Sequence, residues 1–172
     1  MTLKEGLYRI RFVPVCIQPP FVGGVYARST EIGEPIAAKA DGPEDPPQVW
    51  EVRLQNGKYI ITQPGFSTKL PFMGPGPVLA GWGLAEPSDK FPGGPILFKV
   101  GYQEFDIQPV GEGDSLMYSI KVPNPQGIHS PGLNAEFYVT EDKHILQSQA
   151  FWSNLRFKQP NPCWQFLPVS RK

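Results

Sequence analysis

Prolines and glycines fall so densely along this chain that a long helix has no room. There are 21 Pro and 18 Gly among 172 residues. No stretch of about a dozen residues keeps helical apolar spacing without one of them breaking it. Proline removes a backbone donor and clashes with the preceding turn, and glycine is entropically costly inside a helix. In other chains such density marks disorder. Here 40% of residues are hydrophobic, and a disordered chain is too poor in apolar side chains to build a core. Short strands joined by Gly/Pro-rich turns are what remains.

Strand signals recur from end to end. Residues 7–12, 49–54 and 58–62 alternate apolar and polar, and 95–100, 104–110, 116–122, 135–140 and 164–169 give further runs. A strand is also expected after Gly24. Asn56-Gly57 lies between two of the runs and is a strong short-range hairpin signal. Residues 141–144 and 127–131, which hold the two histidines, read as polar turns. Gly81-Trp82-Gly83 and residues 91–95 also read as turns rather than dinucleotide fingerprints, since no helix follows to receive a phosphate.

Laid over one another, the strands show a repeat. Gly6-Leu7-Tyr8-Arg9-Ile10 resembles Gly57-Lys58-Tyr59-Ile60-Ile61 and, more weakly, Leu116-Met117-Tyr118-Ser119-Ile120. Each unit closes on an aromatic strand, at Trp50, Phe105 and Trp164. Units of similar length over residues 6–54, 57–110 and 115–169 predict a single all-β domain spanning 1–172. Four strands in each of three pseudo-repeats make twelve, the β-trefoil arrangement: a six-stranded barrel capped by hairpins, with no free edge in the core. A β-sandwich is the competing architecture and needs no threefold repeat.

The bulk chemistry excludes several function classes. Lys plus Arg and Asp plus Glu are 16 each, and that balance argues against nucleic acid, whose phosphates call for clustered positive charge. No apolar run approaches the ~20 residues of a membrane helix. The opening residues lack the apolar core of a secretory signal, so a cytoplasmic protein is expected unless a leader was removed before this numbering. Cys16 and Cys163 are no disulfide framework, and two free thiols are expected. His129 and His144 have no second His or Cys at metal-ligand spacing. No nucleophile elbow or phosphate loop is present. The chain reads as a non-enzyme without cofactor or metal, acting as a monomer.

Two loops stand out. In residues 19–24, Pro19 and Pro20 stiffen the entry by fixing φ, while Phe21 and Val22 lead to Gly23 and Gly24, which let another backbone come close. A loop set before binding loses little entropy on binding. The same residues also dominate ordinary turns. Asp41, Gly42, Pro43, Glu44 and Asp45 form a second, acidic loop in the same unit, so the two are expected to emerge side by side. Their carboxylates lack the regular spacing of a calcium loop.

An ordered series of residues in the first third of the chain resembles the mycocypins, mushroom inhibitors of papain-like cysteine proteases. The series is Gly6-x-Tyr8-x-Ile10-Arg11, Val22-Gly23-Gly24-x-Tyr26-Ala27, Pro35 followed by Ala38-Lys39-Ala40, Trp50-x-Val52 and Gly57-x-Tyr59-x-Ile61. It returns faintly at Tyr118-x-Ile120 and at Cys163-Trp164-Gln165-Phe166. The resemblance implies a β-trefoil that plugs a cathepsin-type cleft with the strand 1–2 loop, Pro19 to Gly24, and the strand 3–4 loop, Asp41 to Asp45. Gly23 and Gly24 would pass nearest the catalytic cysteine. Some members use a strand 5–6 loop against a second protease. Here that loop contains Ser67, Thr68 and Lys69. Ser67 stands where an Asn would block legumain, and Lys69 suits a trypsin pocket or is an ordinary surface lysine.

Two rivals follow. Gln48-Val49-Trp50 resembles the Gln-x-Trp signature of ricin-type lectins, which repeat it in each unit. Here it occurs once, and a core role for Trp50 is the simpler reading. A trefoil serine protease inhibitor acting through Lys69 is the other.

Overall fold

The computed structural model describes residues 2–13, 24–43, 45–66, 78–85, 94–110, 117–122, 135–152 and 162–170. They form twelve strands and no helix, so the all-β expectation holds. In chain order the strands are β1 (Gly6–Val13), β2 (Val25–Arg28), β3 (Ala37–Ala40), β4 (Trp50–Gln55), β5 (Lys58–Thr62) and β6 (Ala80–Leu84). Then come β7 (Ile96–Val100), β8 (Asp106–Pro109), β9 (Met117–Val122), β10 (Ala135–Asp142), β11 (Ile145–Trp152) and β12 (Cys163–Pro168).

Six strands pair in a closed succession. β1 pairs with β4, β4 with β5, β8 with β9, β9 with β12 and β12 with β1. β5 meets β8 through the Tyr59–Phe105 bridge. The other six form the hairpins β2–β3, β6–β7 and β10–β11. These hairpins touch where the Ile36 amide donates to the Ile96 carbonyl at 2.8 Å and the Leu146 amide to the Ile36 carbonyl at 2.9 Å. Ile36, Ile96 and Leu146 are wholly buried.

The tyrosines that open the sequence units sit directly across the ladder from the aromatics that close them: Tyr8 from Trp50, Tyr59 from Phe105 and Tyr118 from Trp164. Burial pushes all three phenols above the ordinary tyrosine value. The hydroxyls of Tyr8 and Tyr59 donate to the carbonyls of Lys4 and Leu3, which ties the N-terminal segment to the core.

Beneath that row, the Trp50 indole donates to the Ala27 carbonyl on β2 at 2.9 Å, and the Trp164 indole to the Val139 carbonyl on β10 at 2.8 Å. The middle unit reverses the sizes. Trp82 on β6 takes the position of Ala27 and Val139, while Phe105 stands where the others carry Trp. Trp82 packs edge-on against Trp50, Phe105 and Trp164.

Gly81-Trp82-Gly83 is therefore the middle of β6 and not a turn. The glycines are there for close approach. A Cβ on Gly81 would lie 2.4 Å from the Ile61 carbonyl oxygen, and one on Gly83 would meet the Lys99 stem at 2.4 Å. Two turns match expectation. Asn56 and Gly57 both have positive φ (52° and 76°), as do Lys143 and His144 (50° and 69°), which is the geometry of a two-residue hairpin matching strand twist. The expectation of two free thiols is corrected: Cys163, buried beside Val13 and Met117, is disulfide-bonded. Sequence spacing carries no information on whether two distant cysteines meet. Cys16 lies outside the described residues.

Candidate functional site

The β2–β3 ladder sets the relation between the two candidate loops. Val25 lies opposite Ala40, Tyr26 opposite Lys39, Ala27 opposite Ala38 and Arg28 opposite Ala37. Gly24 and Asp41 are thus the first residues beyond the ladder on either side, at the same end of one hairpin. Pro19, Pro20, Phe21, Val22 and Gly23 lie outside the described residues, as do Glu44, Ser67, Thr68 and Lys69. The described candidates are Gly24 of the first loop and Asp41, Gly42, Pro43 and Asp45 of the second.

Gly24 is exposed and has φ of +119°, a conformation that L side chains rarely adopt. A Cβ there would come to 3.3 Å of the Arg11 side chain on β1. Glycine at this stem is favoured by the backbone, and a side chain there would also need the Arg11 stem to give slightly.

The second stem is built on charge. The Asp41 carboxylate accepts from the Arg28 guanidinium on β2 at 2.8 Å and also from Arg9 on β1. Arg28 also donates to the Pro46 carbonyl at 3.3 Å and lies 3.9 Å from the Asp45 carboxylate. The Arg9 guanidinium stacks over the Tyr26 ring, 4.4 Å from its centre, a favourable placement of a cation on an aromatic face. The Ser29 hydroxyl donates to the Gln48 amide oxygen at 2.8 Å, which holds the far end of the loop. The Asp45 amide donates to the Gly42 carbonyl at 3.3 Å, making a turn around Pro43.

Sequence reasoning singled out Asp41 and Asp45 but missed Arg9, Arg28, Tyr26 and Ser29. No local pattern links them, since Arg9 sits on β1, Tyr26 and Arg28 on β2, and Asp41 just past β3, and they meet only through register. The Asp41 and Asp45 carboxylates face arginines of the same sheet. Among the described residues, no group of three or more His, Cys, Asp or Glu is placed to hold a metal ion. Trp50, the residue of the Gln-x-Trp signature, is fully buried and serves the core, as the simpler reading has it.

Gly24 and Asp41 thus stand side by side at one end of a hairpin in an all-β protein. Clitocypin-2 of Clitocybe nebularis is 34% identical over 76 residues, 41% of this chain and 48% of that protein. Clitocypin of the same organism is 35% identical over 75 residues, with the same shares. The chain spans about half the length of the curated relatives it matches. No family model matches. The similarity supports a partial, distant relationship of the mycocypin type.

Proposed function

We propose that this chain is a β-trefoil inhibitor of papain-like cysteine proteases. It would occlude the cleft with residues 19–24 and 41–45 and present no scissile bond to the catalytic cysteine. The observation that carries the reading is the placement of Gly24 and Asp41 at one end of the β2–β3 ladder. Two loops leaving side by side can enter one cleft together. The partial match to clitocypins supports inhibitor function at the level of the family. The ring of paired strands and the three hairpins that meet at Ile36, Ile96 and Leu146 support the trefoil. A pre-formed stem reduces the entropy lost on docking.

The test is titration of papain activity with the purified protein, with trypsin alongside. Tight inhibition of papain alone is expected. Inhibition of trypsin alone would move the site to the strand 5–6 loop and Lys69. Silence on both, with retention on a sugar column, would leave the lectin reading in its place.

A further inference from the structure

The ion cluster at the second stem has an organisation that the inhibitory reading does not require. One guanidinium, Arg28, reaches Asp41 at the start of the loop and Asp45 and Pro46 at its end. The Arg28 side chain is only 11% exposed, and the Asp41 side chain 32%. The other Asp41 oxygen is taken by Arg9, whose own position is set by stacking on Tyr26. Tyr26 is two residues from Gly24 and pairs with Arg11, the residue whose side chain lies against Gly24. The cluster therefore holds the 41–46 loop at both ends, at Asp41 and at Asp45 and Pro46, and its Tyr26 member pairs with the strand residue that lies against Gly24. A planar fork with several donors suits this task, because it holds more than one acceptor in fixed directions.

We propose that Arg28 and Asp41 are positioning residues: they latch the 41–46 loop in its binding shape and spend their charges on each other rather than on the protease. The inference rests on the inhibitory reading above. It makes a claim that a direct protease contact would not. Arg28→Gln and Asp41→Asn should each weaken papain inhibition about tenfold, mostly through faster dissociation, and the double variant should be no weaker than either single one. Residues in one ion-pair network couple in this way, whereas independent contacts add. Melting temperatures of the three variants serve as the control for folding. Should Arg28→Gln fail to fold, the exposed Asp41→Asn carries the test alone.

A roughly hundredfold loss in the double variant, the product of two separate losses, would overturn the latch in favour of direct contact. Unchanged inhibition in both single variants would overturn it as well. The free protein gives a second readout that needs no protease: amide order parameters at Gly42 and Asp45. These should be near 0.85 in the parent and fall below about 0.6 in Asp41→Asn. Values that stay near 0.85 in the variant would refute the latch. A parent that fails to inhibit papain would sink the inhibitory reading, while the order parameters still decide whether the latch exists.

Discussion

The first and third units of the chain begin with strand pairs in the same register and finish them differently. Arg11 lies across from Tyr26 in one, and Lys121 across from Tyr138 in the other. Two residues before Tyr138 stands Glu136, whose carboxylate accepts from the Lys121 ammonium at 2.5 Å and from the Tyr138 hydroxyl at 2.6 Å. Two residues before Tyr26 stands Gly24, with the Arg11 stem against it. Inside, the units agree: each sets a Trp indole on the carbonyl of a small or medium residue of its second strand. At the rim, the third unit closes with a carboxylate held by two donors, and the first opens with a glycine in a left-handed conformation. A departure of this kind is where a strained or a functional position is expected.

The largest effects should come from the interior, where the comparison predicts equality. Trp50→Phe and Trp164→Phe each remove an indole donor, leave a buried carbonyl unsatisfied and open a small cavity. Each should cost roughly 2–4 kcal/mol in a urea unfolding series. Trp82→Phe should cost less, about 1–2 kcal/mol, because the buried Trp82 indole nitrogen has no hydrogen-bond partner among the described residues and its loss orphans nothing there. Equal costs at all three positions would break the assignment of Trp82 as a size-swapped counterpart.

At the rim the prediction concerns function more than stability. Gly24→Glu would copy the Glu136 arrangement beside Arg11. The left-handed backbone strains any side chain there by about 1–3 kcal/mol, so the stem must shift or store that strain. On the proposed function, papain inhibition should weaken by about tenfold or more while the melting transition stays cooperative. Parent-like affinity in a folded Gly24→Glu would remove Gly24 from the binding surface and with it the contrast between the units.

Much of this comparison was legible before the fold was known, and the reasons differ by residue. Tyr8, Tyr59 and Tyr118 announced the repeat because buried ladder positions tolerate few substitutes. The Asn56-Gly57 hairpin was legible because positive φ at both central positions restricts residue choice. Trp82 was misread because its flanking glycines are a turn signal by composition, while their cause is steric: the Ile61 carbonyl and the Lys99 stem fill the space of a side chain. The Arg9, Arg28 and Asp41 cluster was illegible because its partners lie 13 and 32 positions apart in sequence and charge carries no register. The disulfide at Cys163 was missed for the same reason. The series beginning Gly6-x-Tyr8 pointed to the relatives that similarity then returned, but not to the stem that shapes the second loop.

The smallest effect tests the third unit's rim directly. Hydrogen bonds from Lys121 and Tyr138 hold the Glu136 carboxyl below its ordinary value, against burial acting the other way. A carboxyl whose folded pKa is lowered adds stability above its unfolded pKa, near 4.5, and loses it as pH falls through the folded value. The Glu136 side chain is 44% exposed, so solvent screens much of the gain and roughly 0.2–1 kcal/mol remains. Glu136→Gln should therefore be slightly less stable than the parent at pH 7, and the gap should close as the pH is lowered past the ordinary glutamate range. Denaturant midpoints for both proteins across about pH 2–7 read this difference. A gap that persists unchanged into acid would mean that Glu136 acts by packing rather than by charge. The rim contrast with Gly24 would then be one of space, and Gly24→Ala should disturb inhibition as much as Gly24→Glu.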